Sequence, residues 1–294
     1  MLDLPAFRKN EAYFQGWYFK HQSGQHAVAF IPGVNVNAQG QKSAFVQVIT
    51  DRFSCKVPFP YTAFQMSNER LAVRVGNQLF SDRGVRVDLN TPELQCKGII
   101  RYGMLDPPKS DVMGPFRFVP LLECRHGVVS MKHSLNGSLK LNGETINFTG
   151  GCGYIEKDEG SSFPKNYLWA QCNSFSEKSC GIMVSIADVP FAGLHLKGCI
   201  AVIHFRGYEF RLATYYGVKV LRCDERGFLL WQKDYLLEAD IEQSKEQSLF
   251  APSNGAMSRT IRESVMSRAR FRFYVNSRLI FDLQSEEAGF EFVK

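Results

Sequence analysis

Apolar and polar residues alternate along most of this chain with the period of two that a half-buried β-strand imposes. The segments AFVQVIT (44–50), RLAVRV (70–75) and KGIIRY (97–102) each read as a strand. Four longer stretches read as hairpins. Segment 137–150 turns at Asn142-Gly143, the pair favoured by a type I′ turn, in which both central residues take positive φ. Segment 200–217 turns at Arg206-Gly207, 218–234 turns between Asp224 and Gly227, and 271–284 turns at Asn276-Ser277. Only YLLEADIEQSKEQSLF (235–250) offers a helical stretch, and a short one. Hairpins at this spacing predict an all-β chain of two barrel-like halves around an apolar pocket, with few short helices and no βαβ units.

Breaker residues divide the pattern. Pro107, Pro108, Pro115 and Pro120 keep 105–120 out of any sheet interior and predict a long ordered loop over a barrel mouth. The run Thr149-Gly150-Gly151-Cys152-Gly153 suits a crossing between halves, which sets the expected domains at 1–150 and 151–294. Two aromatic stretches, 13–20 and 167–173, each read as the opening strand of a barrel.

Composition narrows the function classes. The chain has 294 residues, 45% of them hydrophobic, a globular balance. Its 24 Phe fit a β-rich core and equally a pocket for a greasy ligand. Early charges at Asp3, Arg8, Lys9 and Glu11 argue against a signal peptide, and no apolar run reaches the ~18 residues of a membrane span. The eight Cys form no CxxC pair and read as reduced thiols, so the expected location is cytoplasmic. The net charge of +6 gathers partly in SRARFRFYV (267–275). This strand reads as a solvated face, with contact to anionic headgroups as the alternative; nucleic acid is not expected.

Common catalytic motifs are missing: no P-loop, no HExxH, no GxSxG elbow, and no metal spacing among the six His. No cofactor or metal is expected. Two clusters remain. In 153–175, Tyr167, Trp169, Gln171 and Asn173 share one face of a strand, below a loop carrying Glu156, Asp158 and Glu159. That face reads as an aromatic barrel plug or as a pocket wall with a carboxylic acid at its mouth. In 121–137, His126, Val128 and Ser130 share one face of a strand and Val129, Met131 and His133 the other, so the two His cannot both point inward.

At these residues the chain resembles the tocopherol cyclase family. The stretches EAYFQGWYFK (11–20), FIPGV (30–34), 112–139 and 153–175 carry the resemblance, which spans roughly 10–185. Two positions depart from the family pattern, Gln15 where Glu is usual and Glu159 where Trp is usual, and both touch the motifs expected to line the site. The resemblance implies a calycin architecture of two lipocalin-like halves, related to carotenoid hydratase-like proteins. It also implies an isomerase-type reaction, in which a phenol oxygen closes onto a prenyl double bond without redox cofactor.

Such chemistry needs an acid for the alkene, a shield for the carbocation and a base for the phenol. Asp158 is the first acid candidate and Glu156 the second, because desolvation favours a neutral carboxyl. His126, or a second carboxylate such as Glu123, is the candidate base. Trp17, Tyr167 and Trp169 could face the cation, and Gln171 and Asn173 could orient the ring oxygen. The expected partner is a hydrophobic small molecule such as a prenylquinone. A lipocalin-like protein that carries such a lipid without reacting on it is the alternative.

Overall fold

Alternation becomes sheet where the turn residues accept left-handed backbone. Asn142 (φ 47°) and Gly143 (φ 91°), Arg206 (φ 50°) and Gly207 (φ 81°), and Asn276 (φ 51°) and Ser277 (φ 62°) all do so in the computed structural model. The structure describes residues 12–24, 26–119, 122–191 and 194–294. It is almost entirely antiparallel β, with three short 3₁₀ turns among the described residues.

The first sheet contains β1 (Tyr13–Ser23), β2 (His26–Val36), β3 (Lys42–Thr50), β4 (Ser54–Pro60), β5 (Phe64–Met66), β6 (Ala72–Val75), β7 (Gln78–Ser81), β8 (Gly84–Asn90), β9 (Gln95–Tyr102), β10 (Cys124–Leu141), β11 (Glu144–Asn147) and β12 (Cys152–Gly160). Its order is β4-β3-β2-β1-β12-β10-β9-β8-β7-β6-β5, with β11 beside β10. The second sheet contains β13 (Tyr167–Cys172), β14 (Cys180–Phe191), β15 (Leu194–Phe205), β16 (Tyr208–Ala213), β17 (Lys219–Asp224), β18 (Gly227–Gln232), β19 (Tyr235–Ser244), β20 (Gln247–Ser253), β21 (Ala256–Val275) and β22 (Arg278–Val293). Its order is β16-β15-β14-β13-β22-β21-β19-β18-β17, with β20 beside β21.

The two circuits follow one plan. In each, four strands meander outward on one side, and the opening strand pairs with the last strand of its sheet, β1 with β12 and β13 with β22. The aromatic stretches at 13–20 and 167–173 are these two opening strands.

The compact units are discontinuous in sequence. One comprises Met1–Pro107, Leu122–Phe163 and Ser248–Ile261; the other comprises Pro108–Leu121, Pro164–Gln247 and Arg262–Lys294. Past the glycines at 150–153 the chain therefore continues in the first sheet as β12. Each curled sheet buries one face around its own core. Phe19, Phe30, Phe64, Phe80 and Phe148 fill the first, and Phe228, Phe271 and Phe273 the second. Each such ring contributes about 1.5–3 kcal/mol of transfer free energy.

Three expectations meet the structure here. Of the proline-rich loop, 105–107 belong to the first unit and the described residues 108–119 to the second, which holds them in place. Arg211 Nη1 donates to Ser110 Oγ and to the Asp111 carbonyl (both 2.9 Å), and Tyr215 Oη donates to the Val112 carbonyl (2.9 Å). The helix expected in 235–250 is instead β19 and β20. Leu237 and Ala239 enter the core, while Glu238 and Asp240 face the Arg272 guanidinium at 2.7 and 2.6 Å. Cross-strand pairing, invisible to a local periodicity, decided that segment. The arginine stripe is likewise met by acids: Arg268 pairs with Glu242 (2.8 Å) and Arg270 with Asp282 (2.5 Å). All eight Cys are free thiols.

Candidate functional site

β12 lies between β1 and β10, and its alternation sorts the acidic stretch. Glu156, Asp158 and Glu159 were expected on a loop; they stand on this strand. Ile155 faces the first core, so Tyr154, Glu156 and Asp158 share the opposite, outer face. In the ladder to β10, Asp158 stands opposite His126 and Glu156 opposite Val128. The result is a cluster of the three residues read as catalytic. His126 Nδ1 lies 2.9 Å from Asp158 Oδ1, and His126 Nε2 lies 3.7 Å from Glu156 Oε2. The Tyr154 hydroxyl donates to Glu156 Oε2 (2.6 Å), and Cys124 Sγ approaches Asp158 Oδ1 at 3.9 Å.

Electrostatics follow from this bracketing. Burial disfavours the imidazolium, but the charges of Asp158 and then Glu156 outweigh it and push His126 up to about 9. His126 is therefore a cation at neutral pH, with Nδ1–H donating to Asp158. Burial, reinforced by Glu156, holds the Tyr154 phenol well above its usual range. One ligand atom from each of His126, Glu156 and Asp158 falls within 4.8 Å of the others, the sole such His, Cys or acid group among the described residues. The two carboxylates meet opposite nitrogens of one ring, Asp158 at Nδ1 and Glu156 at Nε2, so the imidazole is bracketed by acids on both sides.

The inner face of the same strands carries a second group of histidines. β10 has two bulges, between Val128 and Ser130 and between Ser130 and His133. They turn Ser130 to the inner face beside His133, so Ser130 does not share a face with His126 as simple alternation expected. Ser130 Oγ lies 3.0 Å from His133 Nδ1, and His133 stands opposite Gly153. A Cβ on Gly153 would lie 2.3 Å from His133 Nε2, so glycine is what admits the ring. Nearby, His21 Nδ1 faces the Val28 carbonyl (3.3 Å), which makes Nε2 the acceptor for the Tyr102 hydroxyl (2.6 Å). Burial drives both His21 and His133 down to about 3.

The remaining candidates are dispersed. Trp17 lies on the inner face, stacked on Phe64 (6.2 Å) with Lys157 Nζ 5.6 Å from its ring, away from the His126 face. Glu123 is exposed. Tyr167, Trp169 and Gln171 share the face of β13 opposite the second core; Asn173 lies just past the end of the strand, and all four are buried. There Tyr167 Oη donates to Glu291 (2.5 Å) and Ser174 to Glu287. Glu287 and Glu291 were missed, as was Tyr154. Period-two spacing from Glu156 was enough to find Tyr154, whereas nothing local marks the glutamates. Gln15 and Glu159, the two departures from the family pattern, are bonded to each other (3.3 Å) on the inner face, not beside His126.

A family model described as tocopherol cyclase-like matches residues 91–292. The chain belongs to the tocopherol cyclase-like family. The match runs to the end of the second sheet, well beyond the stretch whose resemblance was legible by motif. A probable chloroplastic tocopherol cyclase of Oryza sativa subsp. japonica is 26% identical over 125 residues, 40% of this chain. The aligned part spans 26% of that relative. Among solved structures, CghA aligns with a TM-score of 0.61 at 9% identity, covering 96% of this chain and 89% of that one. Kievitone hydratase from Nectria haematococca aligns at 0.53 and 12% identity, covering the same 96% and 89%. These likenesses show the lipocalin-like fold of this chain. No described helix is long and apolar enough to cross a membrane.

Proposed function

We propose that the His126–Asp158–Glu156 cluster is the proton-transfer centre of an acid-catalysed cyclisation of a prenylated hydroquinone or related isoprenoid phenol. The observation that carries this reading is a largely enclosed imidazolium bracketed by two carboxylates, in a family described as tocopherol cyclase-like. The reaction is an isomerisation. One proton adds to the alkene, the phenol oxygen bonds to the resulting tertiary carbon, and the phenolic proton returns to the protein. His126 holds the proton at neutral pH, Asp158 relays it to the alkene, and the vacated carboxylate takes the phenolic proton. Tyr154 holds Glu156 beside the ring, where its charge compensates the imidazolium whenever the proton is on His126. Kievitone hydratase, which shares the fold, bears a name that points to addition across a double bond, and water in place of the phenol would make this centre a hydratase.

The test is turnover of a prenyl hydroquinone in D₂O, read by mass spectrometry. One deuterium on carbon in a chromanol product is expected. Asp158→Asn and His126→Gln should each lose about 10²–10⁴ of the rate while retaining the circular dichroism of the parent. Substrate that binds and returns unchanged would support the carrier alternative. Unchanged turnover in Asp158→Asn would remove Asp158 from the relay.

A further inference from the structure

The second unit carries a surface that the proton-transfer reading does not use. Phe118 is 73% exposed, Leu221 57%, Tyr216 54% and Trp231 41%. Exposed apolar side chains are common singly, but these are tied together. Arg211 holds Ser110 and Asp111, at the start of the loop carrying Phe118, and Phe116 of that loop meets the Tyr215 ring at 6.0 Å. Tyr215 packs on Tyr216 at 4.6 Å. Gln232, next to Trp231, bonds the Arg211 carbonyl (3.0 Å) and the Ala213 amide (2.9 Å). In the ladder Trp231 stands opposite Lys219, and the neighbouring irregularity in β17 exposes Leu221.

The charges on this surface are cations laid on rings. Arg117 sits 4.5 Å from the centre of the Phe118 ring, and Lys219 sits 5.1 Å from that of Trp231. No described carboxylate forms an ion pair with either, unlike the arginines of β21, which acids neutralise. Aromatic rings with an apolar body and polar rim, beside long cationic side chains, match the headgroup layer of a bilayer.

We propose that Phe118, Tyr216, Leu221 and Trp231, with Arg117 and Lys219, form a docking face for an anionic lipid surface. The rings and Leu221 enter the acyl boundary while the two cations stay among the headgroups. Surface chemistry alone carries this, so it stands or falls separately from the proton-transfer centre.

Intrinsic fluorescence reads the face selectively. The chain has three Trp, of which Trp17 and Trp169 are 4% and 6% exposed and Trp231 is 41% exposed. The full chain is mixed with phosphatidylcholine vesicles, with and without about one-third phosphatidylserine. Co-sedimentation and a blue shift are expected on the anionic vesicles. Phe118→Ser/Leu221→Ser should weaken binding about tenfold, and Arg117→Glu/Lys219→Glu should remove the preference for phosphatidylserine. Both pairs are exposed, so the melting temperature should hold. The proposal is overturned by no co-sedimentation on either vesicle or by variants that bind like the parent. It is also overturned by self-association without lipid that the same variants abolish, which would assign the face to a second copy of the chain.

Discussion

The part of the first sheet built from β1, β12 and β10 carries histidines on both faces, supplied by β1 and β10, and the two faces treat them in opposite ways. On the outer face His126 is a largely enclosed cation held up to about 9; on the inner face His21 and His133 are buried neutral rings held down to about 3. His126 is somewhat less buried than the other two, but lighter desolvation alone could at most leave it near the ordinary value and not lift it above. The difference is the company: Asp158 and Glu156 for His126; a phenol, a hydroxyl and a backbone carbonyl for the others. Desolvation alone empties a histidine of its proton, and two adjacent carboxylates reverse the outcome.

The comparison breaks most visibly if the acids are removed. In Asp158→Asn/Glu156→Gln, His126 keeps its burial and loses its counter-charges, so its pKa should fall from about 9 to below the ordinary 6.5. Imidazole proton chemical shifts across a pH titration check this, and a value that stays above neutrality would show that something other than the carboxylates holds the proton.

Stability against pH comes next in size. His21 and His133 bind protons in the unfolded chain below about 6.5 but in the folded chain only near 3. Stability should therefore fall as pH drops from 6.5 towards 3, by at most about 4 kcal/mol over the first 1.5 units for the pair. His126 has the opposite sign. Its folded pKa lies above the unfolded value, so its contribution is complete below 6.5 and drains away as pH rises through about 9. Urea melts across pH should show both limbs. His126→Gln should flatten the alkaline limb alone, and His133→Asn should reduce only the acid one.

A smaller effect tests the inner packing. Gly153→Ala places a methyl against His133 Nε2 and should cost about 1–3 kcal/mol. Paired with His133→Ala, the same change should cost measurably less than the two single losses added, which a double-mutant cycle reads. The smallest effect belongs to the same kind of charge pairing in water. Arg270 and Asp282 are bonded through two nitrogens at the surface, and Arg270→Ala should leave the melting temperature within experimental scatter.

Much of the candidate site could be read by counting. Glu156 and Asp158 are two apart and so share a strand face, and Tyr167, Trp169 and Gln171 share another by the same rule, Asn173 falling past the end of that strand. The errors were failures of non-local information. The 156–159 stretch reads as loop because acids are rare in strand interiors, yet its partners on β1 and β10 hold it in the sheet. Ser130 was placed on the wrong face because a bulge adds a residue that no local pattern announces. The departures at Gln15 and Glu159 seemed to touch the site because they neighbour its residues in sequence. In a strand, a sequence neighbour points the other way.

By itself the sequence determined the strands, the positive-φ turns that join them, the plan of two β halves and the family. These are properties of a few adjacent residues: alternation, turn chemistry and short specific blocks. Tertiary structure decided which strand lies beside which, where β10 bulges, that 235–250 extends rather than coils, and which histidine keeps its proton. Each of those depends on residues far apart in the chain. Desolvation and Coulomb attraction act between side chains only after the ladders have brought them within a few ångströms.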